Sequence, residues 1–407
     1  MKTYQTFSGG EPIREGSEFE LFNIDKFLRE QDHKKYNEYI LNICTLRLKD
    51  LEYDNLQINF KNFFEEFNWE IFNKILLEKN SNLKHIEKLI ENLTQLKLTQ
   101  KEIEKIINNI EFKQDFIIEK TNTLLLYRHI KKNGKNEIDK EALRIHNEAL
   151  LFFEQKDKNL DHARVLEKYR NDIIDQICRE NNYKIPYIGF DKFVELSAGI
   201  PRVLLKILKE IYKQSAFNGE KPFQLGSKIS AKSQHKGLQI TSEWFLEDSP
   251  ISTKLGLFLR NIGTVLRELR FSNLPPECSI CIFSVRASDL NVEEKEILDL
   301  LVNHSYLIIE NGGRREKNGH DIKLTYQINP VIAPIWELAV SKRGVVSLNK
   351  SEVDAIFGNL PDQFDELKRE KSREYNFPFK NNISPISRNK TLSTIQAPTL
   401  FDNANNH

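Results

Sequence analysis

Residues 193–212 place a cationic side chain where a helix best accepts an anion. Pro201 suits the first turn of a helix, because that turn does not use the N–H that proline lacks. Gly199, just before it, suits the left-handed residue that often ends the preceding helix. Arg202 is then expected in the first turn of the new helix, at the positive end of its dipole. This spacing predicts contact with an anion at Arg202.

The stretch Ser197-Ala-Gly-Ile-Pro-Arg202, followed by an apolar helix, resembles the Gly-x-Pro-Arg "sensor 2" motif of AAA+ ATPases. It is most similar to that of the origin-recognition-like initiators and their prokaryotic relatives. In that family the arginine belongs to a helical lid and contacts the γ-phosphate of ATP held by a neighbouring core. The resemblance therefore implies that Arg202 senses nucleotide. The alternative is a plain junction between two helices, with a solvated basic face formed by Lys206, Lys209 and Lys213.

A second unit follows in residues 251–345. The pattern predicts an amphipathic helix from Thr253 to Leu269, a short strand over residues 279–285, and a helix capped by Asn291 with Glu294. Two further strands, residues 306–310 and 322–328, would flank a glycine-rich turn. This order is expected of a winged helix, which the same family commonly places after the lid.

The predicted tip of that hairpin is basic. Basic residues there can hold a phosphate backbone without specifying sequence. The candidate nucleic-acid-binding residues are Arg314, Arg315, Lys317 and Lys323. The helix before the hairpin offers acidic residues instead, which would repel DNA: Glu293, Glu294, Glu296 and Asp299. A DNA partner and a protein partner therefore both remain open for this unit.

The sequence lacks the parts that hydrolyse ATP. No Gly-x-x-x-x-Gly-Lys-[Ser/Thr] phosphate loop occurs, and the sole Asp-Glu pair, Asp365-Glu366, lies in the polar C-terminal part. Phosphoryl transfer then has neither a phosphate cradle nor a metal ligand. We expect no ATPase activity from this chain alone, and ATP with magnesium only if a core is supplied from elsewhere. Cys278 and Cys281 have no second pair to complete a zinc site and are predicted to be buried thiols.

The predicted fold is mainly α with a small α+β part. Residues 1–25 are interpreted as an edge segment of a nucleotide-binding core, inside or just after which the chain starts; an ordinary edge strand behind a disordered leader is the alternative. The predicted domains are a helical region at 26–160, an AAA+-like helical lid at 161–217, a linker at 218–250, the winged helix at 251–345, and a polar, largely disordered tail at 346–407.

Overall charge gives little guidance, with 60 basic against 59 acidic residues, so any nucleic-acid surface must be local. The sequence has no apolar run long enough to span a bilayer, and we expect no membrane partner. Four cysteines in 407 residues favour a reduced, cytoplasmic setting.

The hypothesis that these patterns favour is an incomplete origin-recognition-like AAA+ protein. It would act as a nucleotide-dependent switch subunit, partnered by DNA, by another protein or by the missing ATPase core. The alternative is a non-enzymatic helical interaction or scaffold protein that has lost nucleotide handling.

Overall fold

The computed structural model describes residues 33–49, 60–79, 84–155, 157–224, 226–247, 253–278, 280–310, 314–315, 322–358 and 360–380. Helices dominate these residues. In chain order they are α1 (His33–Lys49), α2 (Trp69–Glu78), α3 (Lys84–Gln95), α4 (Gln100–Ile110), α5 (Phe116–Asn133), α6 (Ile138–Gln155), α7 (Asp161–Glu180), α8 (Phe190–Leu196), α9 (Pro201–Phe217), α10 (Ala231–Glu247), α11 (Thr253–Arg270), α12 (Val292–Asn303), α13 (Lys350–Phe357) and α14 (Pro361–Tyr375).

A small mixed sheet lies among the later helices. Its strands are β1 (Ile282–Arg286), β2 (Leu307–Ile309), β3 (Arg314–Arg315), β4 (Ile322–Ile328) and β5 (Val346–Ser347). The order is β2-β4-β1-β5, with β3 also paired to β4. Strand β4 is antiparallel to β1, β2 and β3, and β5 runs parallel to β1. The prediction of a mainly α fold with a small α+β part is confirmed.

Helices α2 to α7 share one hydrophobic core. Helix α4 illustrates why the sequence folds this way. Thr99 and Glu102 form a capping box, in which each side chain accepts a hydrogen bond from the other residue's backbone N–H. The helix then buries an isoleucine face at three-four spacing: Ile103, Ile106, Ile107 and Ile110.

A second core joins α8 to α13 with the sheet. The predicted caps also hold here, because Asn291 and Glu294 form a capping box at the start of α12. Between α8 and α9 both Ala198 (φ 52°) and Gly199 (φ 77°) adopt left-handed backbone, and Pro201 opens α9 as predicted.

The linker predicted for residues 218–250 is wrong over residues 231–247, which form helix α10. Glycine, serine and threonine are typical of linkers, but here they lie in a regular helix. The Thr241 hydroxyl donates to the carbonyl of Gly237 at 2.9 Å and that of Ser242 to Leu238 at 3.0 Å, so both polar groups are satisfied inside the helix.

The tail predicted from residue 346 also differs up to residue 380. Strand β5 extends the sheet, Asn349 and Glu352 form a capping box that begins α13, and Phe379 is fully buried in the α2–α7 core. These residues look polar in sequence because short amphipathic helices bury only one face. The predictions for residues 1–25 and for residues 381–407 lie outside the described residues.

Candidate functional site

Arg202 lies in the first turn of α9 and its side chain is exposed. The N-cap residue Ile200 offers no side-chain hydrogen bond to that turn. The guanidinium carbon of Arg202 lies 5.8 Å from the centre of the Trp244 ring of α10. The indole therefore holds the guanidinium near the helix start by a cation–π contact.

Two of the three lysines that follow Arg202 on α9 form ion pairs within that helix. Lys206 and Lys213 both donate to Glu210, at 3.0 and 3.1 Å. Burial alone would raise the pKa of the Glu210 carboxyl. The hydrogen bonds from the two lysines have the larger combined effect, so the pKa lies below its ordinary value. Lys206 also lies 4.8 Å from the Trp244 ring centre. One carboxylate thus serves two of the lysines that follow Arg202.

The predicted basic tip is described in part. Arg314 and Arg315 form strand β3, whose pairing with β4 sets Arg314 opposite Lys323. The Lys323 ammonium donates to the Ser347 hydroxyl of β5 at 2.7 Å. Lys317 lies outside the described residues. The backbone therefore brings Arg314, Arg315 and Lys323 to one end of the hairpin, whereas Arg202 belongs to α9 and contacts α10.

The acidic residues of α12 have different local roles. Glu294 is buried in the capping box, and Glu293 pairs with Lys254 of α11. Glu296 and Asp299 are exposed on the remaining face. The helix that precedes the hairpin consequently presents negative charge to solvent.

A buried ion cluster, absent from the sequence predictions, lies between α7 and α11. The Arg270 guanidinium is 2% exposed and donates to Asp172 at 3.2 Å, to Asp175 and to the Glu337 carbonyl. Arg343 pairs with Asp172 from the other side. Burial raises the pKa of Asp175 to about 6 against the opposing pull of Arg270. A cavity of about 320 Å³ lies beside this cluster, lined in part by Asp175 and Arg270.

Sequence reasoning could not find that cluster because its partners are nearly a hundred positions apart. The only local signal is the pair Asp172 and Asp175, one helical turn apart in an otherwise amphipathic helix. The pair places two carboxylates on one face of α7, but nothing in the sequence says which cation they meet.

The sequence predicts a cation at a helix start and two buried thiols. Arg202 supplies one exposed cation at a helix start. No group of three or more histidine, cysteine, aspartate or glutamate side chains in the described part of the chain could hold a metal ion. Cys281 is buried and Cys278 half-buried, both as free thiols.

Among the helices that the structure describes, none is long and apolar enough to cross a membrane. A sequence model of the ORC-CDC6-like family matches residues 1–348. No curated protein and no solved structure matches the chain.

Proposed function

The chain belongs to the ORC-CDC6-like family, and from that premise we propose that it is an AAA+-related, nucleotide-dependent switch subunit. Arg202 contacts the γ-phosphate of an ATP–magnesium complex that is held by a core supplied from elsewhere. The observation that carries this proposal is the placement of Arg202, exposed in the first turn of α9 and steadied by Trp244.

Helices α7, α8 and α9 act as the lid in this proposal. The left-handed residues Ala198 and Gly199 end one helix and allow Pro201 to begin the next. Arg202 therefore belongs to the first turn of α9, and the helix rather than a loop sets the position of its backbone. A terminal phosphate gains both the guanidinium and the positive end of the α9 dipole.

The unit of residues 251–345, from α11 to β4 and the chain after it, acts as a winged helix that binds DNA or a protein partner. Its order is helix, strand, helix and hairpin, with β1, β4 and β2 forming an antiparallel sheet. Arg314, Arg315 and Lys323 support a phosphate contact at the hairpin end. A cytoplasmic setting belongs to the same proposal and is supported by four free thiols.

Nucleotide binding tests the switch directly. The chain is purified with the products of its neighbouring genes, and binding of ATPγS with magnesium is measured by calorimetry. Arg202→Ala should weaken binding about ten-fold or more, because it removes a hydrogen bond to a charged group worth roughly 1.5–3 kcal/mol. Lys209→Ala, an exposed change on the same helix, should leave the affinity unchanged. Absence of ATPγS binding with all neighbours present would contradict the proposal.

The hairpin is tested separately by a DNA mobility shift. Arg314→Glu with Arg315→Glu should abolish a shift of duplex DNA if the hairpin holds the backbone. Lys101→Glu with Lys105→Glu on α4 makes the same charge change at exposed positions and should not. Equal binding by the arginine variant would remove the hairpin from a DNA interface.

A second candidate function is a helical interaction protein without nucleotide handling. The exposed Glu296 and Asp299 of α12 favour it, because they repel DNA where a winged helix would approach the groove. In that case Arg202→Ala leaves every partner interaction unchanged.

A further inference from the structure

Helices α9 and α10 with their connection, residues 201–247, form a hairpin that concentrates positive charge. It carries eight lysine and arginine residues against four glutamates, although the whole chain has a net charge of only +1. The remainder of the chain is therefore net acidic. We propose that the α9–α10 hairpin binds single-stranded DNA, on a surface that depends on neither the β3–β4 tip nor the Arg202 phosphate contact.

The glutamates between the two helices do not neutralise most of these lysines. Glu210 is 5% exposed and is shared by Lys206 and Lys213. Glu220 accepts hydrogen bonds from the hydroxyls of Ser215 at 2.6 Å, Ser233 at 2.8 Å and Ser230. Both carboxylates are thus committed to partners within the hairpin.

The other lysines are exposed. In the part of the chain that the structure describes, none of them lies within ion-pair distance of a carboxylate: Lys209, Lys221, Lys228, Lys232 and Lys236. Five ammonium groups on one hairpin make a local positive field that a polyanion can neutralise with release of its counterions.

Close packing fixes these charges relative to one another. Asn218 donates to Ser233, Ile211 meets Gly237, and Lys206 lies over Trp244, so the two helices run antiparallel. A Cβ at Gly237 would lie 2.5 Å from the backbone nitrogen of Ile211, so the backbones are in contact. Lys236 directly precedes Gly237 and Lys213 follows Ile211 by two positions, so each lysine lies within one helical turn of this contact.

A column of aromatic rings reaches the same surface. Phe60 stacks on Phe223 at 5.2 Å and 28°, and Phe223 stacks on Tyr212 at 6.0 Å and 10°. Tyr212 is 46% exposed and ends the column, and Phe217 is 87% exposed at the end of α9. An unpaired base can continue this stack, whereas a duplex keeps its base faces covered. Rings interleaved with lysines are the arrangement that binds single strands.

The ligand proposed is DNA rather than RNA. A ribose 2′-hydroxyl is read through hydrogen bonds that it donates or accepts. The carboxylates of Glu210 and Glu220 are already engaged by lysines and serines, and Glu243 accepts from Gln239. Glu243 and Glu247 also lie in the last two turns of α10, whereas Lys232 and Lys236 lie in its first two. Ammonium groups and ring faces contact the phosphates and the bases, which DNA supplies without a 2′-hydroxyl.

Fluorescence anisotropy of a labelled 20-nucleotide oligo-dT with the full chain tests the charge. Lys232→Glu with Lys236→Glu should weaken binding at least ten-fold. The slope of log Kd against log salt should fall by about 1.4, since each contact to a single strand contributes about 0.7. Lys101→Glu with Lys105→Glu on α4 has the same spacing and charge change and should leave both values unchanged. An unchanged lysine variant, or an equal loss in the α4 control, overturns the proposal.

The rings are tested by two changes at Tyr212. Tyr212→Ile should weaken oligo-dT binding roughly five-fold or more through loss of base stacking, whereas Tyr212→Phe should retain it. Equal affinity for a duplex of the same length, or tighter binding of oligo-U RNA, would overturn single-stranded DNA as the ligand. The ATPγS experiment changes none of Lys232, Lys236 and Tyr212, so the two proposals fail independently.

Discussion

Positive charge is held in two opposite ways in this molecule. Arg270 is 2% exposed and has four polar partners: Asp172, Asp175, the Tyr187 hydroxyl and the Glu337 carbonyl. The five lysines of the α9–α10 hairpin named above are exposed. A buried charge must be matched by fixed partners because its desolvation costs several kcal/mol. An exposed charge carries no such cost, so it contributes little to stability and stays available to a ligand.

Arg270 lies where the chain passes between the two hydrophobic cores. Leu269 packs in the core shared by α8 to α13 and the sheet, whereas Leu274 packs in the α2–α7 core. The chain passes from one core to the other at Arg270. Gln176 of α7 donates to the carbonyls of Arg270 and Ser272, at 3.0 and 3.1 Å, and holds the crossing in place. The buried charge therefore fixes how the two cores meet, while the exposed charges face outward from one of them.

Removing the buried cation should have the largest effect. Arg270→Ala should lower the free energy of unfolding by about 3–5 kcal/mol, because Asp172 and Asp175 are left buried without their shared cation. Urea denaturation measures the change. Arg260→Ala, an exposed arginine of the same helix, should cost less than about 1 kcal/mol. Similar losses for the two variants would remove the contrast between buried and exposed charge.

The buried cluster should also respond to pH. The pKa of Asp175 rises from 3.8 to about 6 in the folded state, chiefly through burial. Between these values the native state binds a proton that the unfolded state has released. The stability from this group is present below about pH 4 and is lost as the pH rises through 6.

Asp175→Asn removes that titration while Asp172, Arg270 and Arg343 remain. The stability of the variant relative to the unmodified chain should therefore rise between pH 4 and pH 7, by up to roughly 3 kcal/mol for a shift of about two units. Urea denaturation of both proteins at the two pH values gives the stability of the variant relative to the unmodified chain. The titration of the other carboxylates cancels because both proteins contain them. A pH-independent difference would show that Asp175 has the same pKa folded and unfolded.

The sequence predicts the parts of the fold that depend on local signals. Thr99 with Glu102 and Asn291 with Glu294 mark helix starts, and both pairs form capping boxes. Residues 322–328, predicted as the returning strand, are β4. These succeed because the deciding contacts lie within four residues or within one strand.

The failures depend on distant contacts. Helix α10 looks like a linker because its buried face includes Ser233, Gln234 and Gly237. Distant contacts bury them: Gly237 meets Ile211 of α9, and Gln234 hydrogen-bonds to the backbone of Gly189 and Glu65. The prediction of Arg202 as an anion contact is a local one, and the structure places it in the first turn as expected. Its cation–π partner Trp244 is 42 residues away and could not be named. The basic hairpin also depends on distant contacts, since its five exposed lysines are divided between two helices and the connection that joins them.

The substitution Gly237→Ala tests how much stability the close contact between α9 and α10 contributes. Alanine in a helix is ordinarily more stable than glycine by up to about 1 kcal/mol. At Gly237 the added Cβ would lie 2.5 Å from the Ile211 nitrogen, so Gly237→Ala should instead cost about 1–3 kcal/mol. Gln239→Ala, half-exposed on the same helix, is the control and should be nearly neutral in thermal melting. A stabilised Gly237 variant would mean that the two helices can separate without loss.

The smallest effect on stability is expected where the effect on binding is largest. Lys232→Glu with Lys236→Glu should change the free energy of unfolding by less than about 0.5 kcal/mol, as for other exposed substitutions. Helix α10 begins at Ala231, so position 232 lies in its first turn, where glutamate is favoured over lysine by the helix dipole. We therefore expect either no change or a slight gain in stability, together with the loss of oligo-dT affinity described above. A loss above about 2 kcal/mol in urea denaturation would mean that these lysines hold the fold, as Arg270 does, and the division between structural and available charge would not stand.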